Sequence, residues 1–560
     1  MKRSKSSLCV AIIYLFAIPA NDYFKAAGYE HSASGKFGIV VAGKPAAVES
    51  GLHILESGGN AADAAAASIL TLSVVHVGAF CIGGEVPVLV YDAAHQKVKV
   101  LSGQGAAPLD STAIAWYMKN GIAGNSIRLA AVPAVIDLCT TLLQQYGTIS
   151  FHEAVAPTLA LLDAGGPSWY IDTSDGDTID TGRDWYADLA RTMRILCAAE
   201  QSAQGNRSDK LQAVSDCFYH GEIADQLDAW YRKQGGFLRK QDLVAHRTRI
   251  EEPITIDYRG YAVYKCGPWT QGPFLLQALL LLEGFDLKTP GYLSPDYIHT
   301  VTEAMKLAFA DRDEYYGDPD FVKIPLTELL SEQYTSIRRS LIEMKRASLE
   351  IRPGDPLKME AVKSQGRYVP VQGGTTTLCV ADRWGNVISA TPSGLGSTAG
   401  CAGETGIIHG TRLVSLNTWP GHPNCIAPGK RPRITLTPTL VLKSGRPVLA
   451  ISVAGGDLQD QAALQLILDY IEFGLHPEEA MAVPRFATRH HIGSFGQDAP
   501  DPGSLMVNKG IVPEIINELA ARGHKITISK GGIGGAAMLF IDPVTGQYET
   551  CGAASGSAHK

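Results

Sequence analysis

Gly373-Gly374-Thr375-Thr376-Thr377 lies two thirds of the way along the chain, where a polar, proline-bearing tract gives way to strands. Two glycines free the backbone for a sharp turn, and three β-branched residues then begin a strand. That strand is expected over residues 376–381, running into the turn Asp382-Arg383-Trp384-Gly385-Asn386. A hydroxyl at the head of a strand suits a chain that cuts itself before Thr375. Oγ of Thr375 attacks the Gly374 carbonyl, the acyl group passes from nitrogen to oxygen, and water splits the ester. The freed α-amine, with a pKa of ~7.7–8.0, then serves as base for the hydroxyl of its own residue. Taken alone, the pentad fits a plain turn feeding a strand better than it fits self-cleavage. The chain has 58 glycines, and Gly-Gly recurs at Gly58-Gly59, Gly83-Gly84, Gly235-Gly236 and Gly455-Gly456.

Upstream, residues 351–372 are polar and aperiodic, with Pro353, Pro356 and Pro370, and such a tract leaves a cut accessible. Downstream the pattern is β: a hairpin, a loop-rich stretch to Pro432, a second hairpin over 437–442 and 448–453, and then a helix over 457–473. The first half reads as a short strand at 38–42, a helix over 46–56 and a buried Ala-rich helix over 61–75 capped by Asn60. Strands at 86–91 and 97–101 follow, then helices over 133–146, 151–164 and 223–233, with 171–187 expected as a surface loop. Tyr258-Arg259-Gly260-Tyr261 is expected to open a strand, and 274–285 and 295–312 to form helices. Helices first and strands later imply sheets covered by helical layers.

Composition narrows the function. At 560 residues, 45% hydrophobic and 19% charged, the chain can bury a large core. A net charge of −7 without a basic cluster beyond the N-terminus argues against nucleic acid as a partner. Residues 1–20 carry Lys2, Arg3 and Lys5, an apolar run over 8–17, and Ile18-Pro19-Ala20. The run is too short for a stable bilayer anchor, so an export signal and a periplasmic or extracellular location are expected. An N-terminal core helix or an uncleaved anchor is the alternative, because Ile18 occupies a position where a small residue is usual. None of the ten cysteines forms a Cys-x-x-Cys pair, which gives zinc and thioredoxin-like chemistry no support.

Several blocks together carry a resemblance. They are Leu55-Glu56-Ser57 running into GGNAADAAAA at 58–67, YRGY at 258–261, FADRDEYYGDPDFVKIP at 309–325, the segment 373–386, and KRP with TPT within 430–439. With these blocks in this order the chain resembles the gamma-glutamyltranspeptidase family of N-terminal-nucleophile hydrolases. The resemblance implies an α+β fold, a four-layer αββα sandwich with a large helical N-terminal portion. It also implies self-cleavage at Gly374-Thr375, giving fragments 21–374 and 375–560 that remain together as a heterodimer. Thr375 matches the nucleophile, acting on a small-molecule amide or γ-glutamyl substrate with water or an amine as acceptor, and no cofactor is called for. Gly455 and Gly456 match the glycine pair whose N–H groups hold the oxyanion, a role that side-chain-free donors at a helix N-terminus suit. Ser393 matches a hydroxyl that supports the nucleophile, and Thr435 a substrate-binding hydroxyl. A plain strand-to-helix turn and a polar loop residue remain the bland alternatives for the glycine pair and for Ser393.

Departures from the family pattern fall on the substrate side. Gln104 stands where the family pairs an arginine with the glutamyl α-carboxylate, Leu395 where it has an asparagine, and Gly421-His422 where an aspartate binds the α-amino group. Losing a buried charge partner costs ~2–5 kcal/mol of recognition. The expectation is therefore an amidase or acylase with a changed acyl preference. The reading from a different class is a non-catalytic exported binding protein that kept the fold.

Three further features invite other functions and support none. His490-His491 has no ligand partner at helical spacing, so a metal is not expected there. Asp311, Asp313, Glu314 and Asp318 lack the order of a calcium loop and read as a helix end bonded to basic groups such as Arg312. Gly531, Gly532, Gly534 and Gly535 lack the lysine-threonine pair of a phosphate cradle and read as a tight loop.

Overall fold

The β-branched run Gly38–Ala42, GIVVA, is buried at every position and pairs antiparallel with Leu378–Asp382, Ile39 opposite Ala381 and Val41 opposite Cys379. A strand apolar on both faces needs cover on both, and the layering of the protein follows from that need. The computed structural model describes residues 31–122, 124, 126–165, 185–363, 375–394, 400–496 and 499–559. Among these, two seven-stranded sheets stack face to face. From edge to edge, one runs Ala554–Ser557, Gly38–Ala42, Leu378–Asp382, Val387–Ala390, Val86–Asp92, Lys97–Gly103, Arg249–Glu251. The other runs His31–Gly35, Tyr548–Gly552, Gly535–Ile541, Arg446–Ala454, Thr439–Lys443, Tyr261–Lys265, Ile254–Tyr258.

Three apolar cores separate four layers. Ile39, Val41, Leu89, Cys379 and Ala381 of the first sheet meet Leu440, Ala450, Ala537 and Leu539 of the second in the middle. The outer face of the first sheet packs on helices that include Ala61–Val75, Val135–Tyr146 and Phe151–Asp163. The outer face of the second packs on Gly272–Leu282, Pro295–Tyr315 and Leu458–Phe473. This is the αββα sandwich expected from the resemblance. Helix Ala61–Val75 is buried along its whole length. Asn60 and Asp63 form a capping box at its start, and Asp382 Oδ2 accepts the Ala61 N–H at 2.8 Å, fixing the helix to the turn after Leu378–Asp382.

Several sequence expectations are corrected. The strand after Thr375 begins at Leu378 rather than 376: Thr376 still donates in register to the Pro392 carbonyl at 2.9 Å, but Pro392 has no N–H to return the bond. Tyr258 to Tyr261 does open the strand Tyr261–Lys265, as the turn of a hairpin with Ile254–Tyr258, and Arg259 at φ 54° and Gly260 at φ 79° are the left-handed pair a two-residue turn requires. Residues 185–187 begin the helix Trp185–Ser202 instead of ending a loop, while the rest of that loop lies outside the described residues. The expected division into helices then strands does not hold. Leu378–Asp382 lies between Gly38–Ala42 and Val387–Ala390, and Thr439–Lys443 pairs with Tyr261–Lys265. Both sheets are thus woven from strands on either side of residue 375. Cys81, Cys139, Cys197, Cys217, Cys266, Cys379, Cys425 and Cys551 are free thiols, and no described helix is long and apolar enough to cross a membrane. Residues 1–20, Gly374 and Leu395 lie outside the described residues.

Candidate active site

Thr375 sits half-buried ahead of the buried Thr376 and Thr377, and the segment is fastened on both flanks. The Thr377 carbonyl accepts from the Gly43 N–H at 3.0 Å, and Thr376 Oγ1 bonds His76 Nδ1 at 2.9 Å. A Cβ on Gly43 would collide with Thr376 Oγ1, so glycine alone permits that approach. Burial, with Lys44 nearby, pushes the His76 imidazole down to about 3, which keeps it a neutral hydrogen-bond partner.

Two side chains reach the Thr375 hydroxyl. Ser393 Oγ is 3.5 Å from Thr375 Oγ1 and accepts from Arg412 Nη2 at 2.8 Å. Arg412 Nε donates to Glu85 Oε1 at 2.6 Å, and Glu85 exchanges two backbone hydrogen bonds with Ser393, at 2.9 and 3.0 Å. Glu85, Ser393 and Arg412 are all buried. Burial raises the Glu85 carboxyl against the opposing pull of the Arg412 guanidinium, which meets it in a buried salt bridge.

The second side chain is Gln459, whose amide lies 3.3 Å from Thr375 Oγ1 and 3.4 Å from Thr435 Oγ1. With Nε2 donating to the carbonyls of Val453 at 3.0 Å and Thr435 at 2.9 Å, every atom of the amide is satisfied and Oε1 accepts from the two hydroxyls. Gln459 belongs to the first turn of Leu458–Phe473, and its N–H donates to the Gly456 carbonyl at 3.1 Å. The threonine hydroxyl is thereby tied to the glycine turn.

Gly455 and Gly456 join strand Arg446–Ala454 to that helix, with φ of 129° and 60°. A Cβ on Gly456 would stand 2.8 Å from Phe495 Cε2. Behind the pair, Asp457 accepts from Ser494 N at 2.9 Å, Ser494 Oγ at 2.6 Å and Arg312 Nη1 at 2.5 Å. Burial works against ionising Asp457, but Arg312, His491 and Ser494 together hold its carboxyl well below the usual range. Arg312 also binds Asp313, Gln271 and the Ile492 carbonyl, so a buried polar network fixes the turn.

Of the residues expected to bind substrate, Gln104 is buried with Nε2 on the Pro432 carbonyl at 2.5 Å. His422 donates from Nε2 to the Asp313 carbonyl at 3.0 Å, and its Nδ1 accepts from Asn417 Nδ2 at 2.8 Å and Asn424 N at 3.1 Å. Burial and Arg433 push His422 down to about 4, and both ring nitrogens are spent on fastening its loop. The fold therefore gathers Thr375, Ser393, Thr435 and the glycine turn, whereas His422 bonds none of them among the described residues.

Glu85, Arg412, Gln459 and Arg433 escaped the sequence reading. For Gln459 a signal existed, three residues after Gly456 at the start of a helix. The acidic block is bonded to basic groups as expected, Asp313 to Arg312, Asp311 to Arg338 and Asp318 to Arg431. One buried group, His299, Glu303 and His524, has ligand atoms close enough for a metal ion. Lys306 Nζ at 2.5 Å and Arg352 at 3.5 Å already neutralise Glu303, which disfavours a cation there.

Comparison with known proteins gives a consistent result. A family model described as gamma-glutamyltranspeptidase matches residues 47–557. The glutathione hydrolase proenzyme of Bacillus subtilis (strain 168) is 30% identical over 551 residues, covering 93% of this chain and 90% of its own. The acylase ACY 1 proenzyme of Pseudomonas sp. (strain SE83) is 30% identical over 540 residues, 91% of each chain. The crystal structure of a cephalosporin acylase from Bacillus halodurans superposes with a TM-score of 0.79 at 28% identity, over 93% of this chain and 95% of that one.

Proposed function

The chain belongs to the gamma-glutamyltranspeptidase family, and on that premise we propose that it is a self-processing amidohydrolase or acyltransferase with Thr375 as nucleophile. In processing, Thr375 Oγ1 attacks the Gly374 carbonyl, the peptide nitrogen leaves as the α-amine of Thr375, and water hydrolyses the ester to a Gly374 carboxylate. In turnover, that α-amine takes the hydroxyl proton as Oγ1 adds to the substrate amide carbonyl. The N–H groups of Gly455 and Gly456 stabilise the oxyanion. Collapse passes the proton to the leaving amine and leaves an acyl-threonine ester, which water or an acceptor amine resolves with the α-amine again as base.

The observation that carries this reading is the Gln459 amide, which bonds Thr375 and sits one helical turn from Gly456. It ties nucleophile and oxyanion donors together through one rigid element. Sheets woven from both sides of residue 375 support fragments that stay associated after the cut. The relatives are named glutathione hydrolase and acylase, and a neutral amide at Gln104 favours an amidase or acylase with a changed acyl preference over a strict γ-glutamyl enzyme. Export, on the strength of residues 1–20, belongs to the same reading.

N-terminal sequencing of the purified protein, with a panel of amides and glutathione, tests it. Two associated fragments, one starting at Thr375, are expected, with both cleavage and turnover lost in Thr375→Ala. An uncut chain that turns over amides, or activity surviving in Thr375→Ala, overturns it; rapid glutathione hydrolysis abolished by Thr375→Ala returns the substrate to the standard one.

A further inference from the structure

Arg433 is buried, yet its Nη1 has no hydrogen-bond partner among the described residues. The other terminal nitrogen, Nη2, donates to Ser494 Oγ at 3.1 Å. The nearest carboxylate oxygen to Nη1, Asp313 Oδ1 at 3.7 Å, is too distant for a hydrogen bond and already accepts from Arg312 Nε at 2.9 Å. Asp457, the other acid of this network, is likewise held by Arg312. Two guanidinium groups thus share two carboxylates, and Arg312 takes the bonds of both. Burial and the neighbouring Arg312 push the Arg433 guanidinium down to about 10, against the pull of Asp313 and Asp457.

The surroundings of Arg433 share this deficit. Gln104 Oε1, Gln271 Nε2 and the Tyr316 hydroxyl are buried without a partner among the described residues. Gln104 is bonded to the Pro432 carbonyl and the Gln271 N–H to the Ile434 carbonyl at 2.8 Å, so both flank the segment that carries Arg433. The field of Arg433 also reaches the Tyr316 hydroxyl. Buried polar groups are satisfied as a rule, and several orphans around one guanidinium describe a site awaiting a polar guest. The guest lies close to the chemistry. Thr435 is two residues from Arg433, about 6–7 Å along an extended chain, and its hydroxyl shares the Gln459 amide with Thr375.

Resting on the proposed amide-cleaving function, we infer that Arg433 is the specificity-determining residue for the acyl group and binds a carboxylate carried by it. The charged clamp missing at Gln104 is supplied by the segment that Gln104 itself holds and that leads into Thr435. Amides of dicarboxylic acids, glutaryl and γ-glutamyl alike, are then preferred over uncharged acyl chains of the same length.

The processed protein is assayed with glutaryl-, γ-glutamyl- and butyryl-p-nitroanilide, and glutarate binding is measured by calorimetry on the same processed protein. The expected wild-type preference for glutaryl over butyryl in kcat/KM is at least about tenfold, the scale set by a buried charge partner. In Arg433→Met that ratio falls towards one, chiefly through KM, and Arg433→Lys recovers part of it. Glutarate should bind the processed wild type, and binding should vanish in processed Arg433→Met while Arg433→Lys retains part of it. Turnover through Thr375 with no preference for charge, or an equal loss on all three substrates in Arg433→Met, overturns the inference and leaves the function standing. Arg433-dependent glutarate binding without hydrolysis of any anilide supports the inference and overturns the function.

Discussion

Arg412 donates to Ser393 Oγ at 2.8 Å while its Nε is held by Glu85, so the serine beside Thr375 is anchored to a buried ion pair. Ser393→Ala cuts the link to Thr375 and leaves the pair intact. Because one hydrogen bond is worth ~1 kcal/mol, kcat should fall about five- to tenfold with a small change in Tm. Arg412→Met is the harsher change, since it strands the Glu85 carboxylate in the interior at a cost of ~3–5 kcal/mol. Comparing kcat and Tm for the two variants separates the roles. Equal thermal losses in both contradict a positioning serine.

Gly456→Ala tests the glycine turn. The new methyl group meets Phe495 Cε2 at 2.8 Å, and φ of 60° is left-handed. Displacing one oxyanion donor lowers kcat by ~10²–10³ in comparable sites. Gly456→Ala/Phe495→Ala removes the collision but keeps the strained φ. A partial return of kcat is expected in the double variant, measured on the processed protein with any accepted anilide. Full activity in Gly456→Ala alone contradicts the oxyanion role.

How far the sequence carried this picture depends on whether a signal was local. Thr375, Ser393 and the glycine pair were legible only through the blocks that carry the family resemblance, since glycines and hydroxyls at breaks between elements have ordinary turn and cap roles as well. Helix Ala61–Val75 was legible from its continuous alanine run and the Asn60 cap. Glu85 and Arg412 were not, since their pairing spans 327 residues and neither falls in a periodic pattern. Arg433 was hidden for a different reason: in KRPR it reads as one more basic residue, and only burial exposes the deficit at its guanidinium. The helices-then-strands division failed because strand order in a sheet is set by long-range pairing, which composition along the chain does not record.

Arg312 should be among the most costly residues to replace. It is fully buried and bonds Asp313, Asp457, Gln271 and the Ile492 carbonyl. Arg312→Met leaves Asp457 facing burial with less compensation, and destabilisation of ~3–5 kcal/mol is expected. Asp457→Asn alone should cost less, and in Arg312→Met/Asp457→Asn the penalties should fall short of additive. Denaturant unfolding of the three variants supplies the cycle. Strict additivity contradicts direct coupling between the pair.

His409 makes acid sensitivity testable at one residue. Its Nε2 accepts from the Tyr231 hydroxyl at 2.7 Å, its Nδ1 faces the Ile407 carbonyl at 3.2 Å, and the ring stacks on Trp230. Burial pushes the imidazole down from 6.5 to about 4. Between those values the unfolded chain takes up a proton that the folded chain refuses. Stability is therefore full above pH 6.5 and lost as pH falls towards 4, by ~1.4 kcal/mol for each unit. His76, His246, His422 and His490 are depressed by burial in the same direction, so the slope is shared. His409→Gln should be less stable at pH 7, through the lost ring contacts, but its stability should fall less steeply between pH 6.5 and 4. Calorimetric unfolding near pH 5 in buffers of different ionisation enthalpy should show close to one proton fewer taken up than in the wild type. An unchanged proton count means that His409 already carries its proton in the folded state, against the burial that holds it neutral, and overturns the prediction.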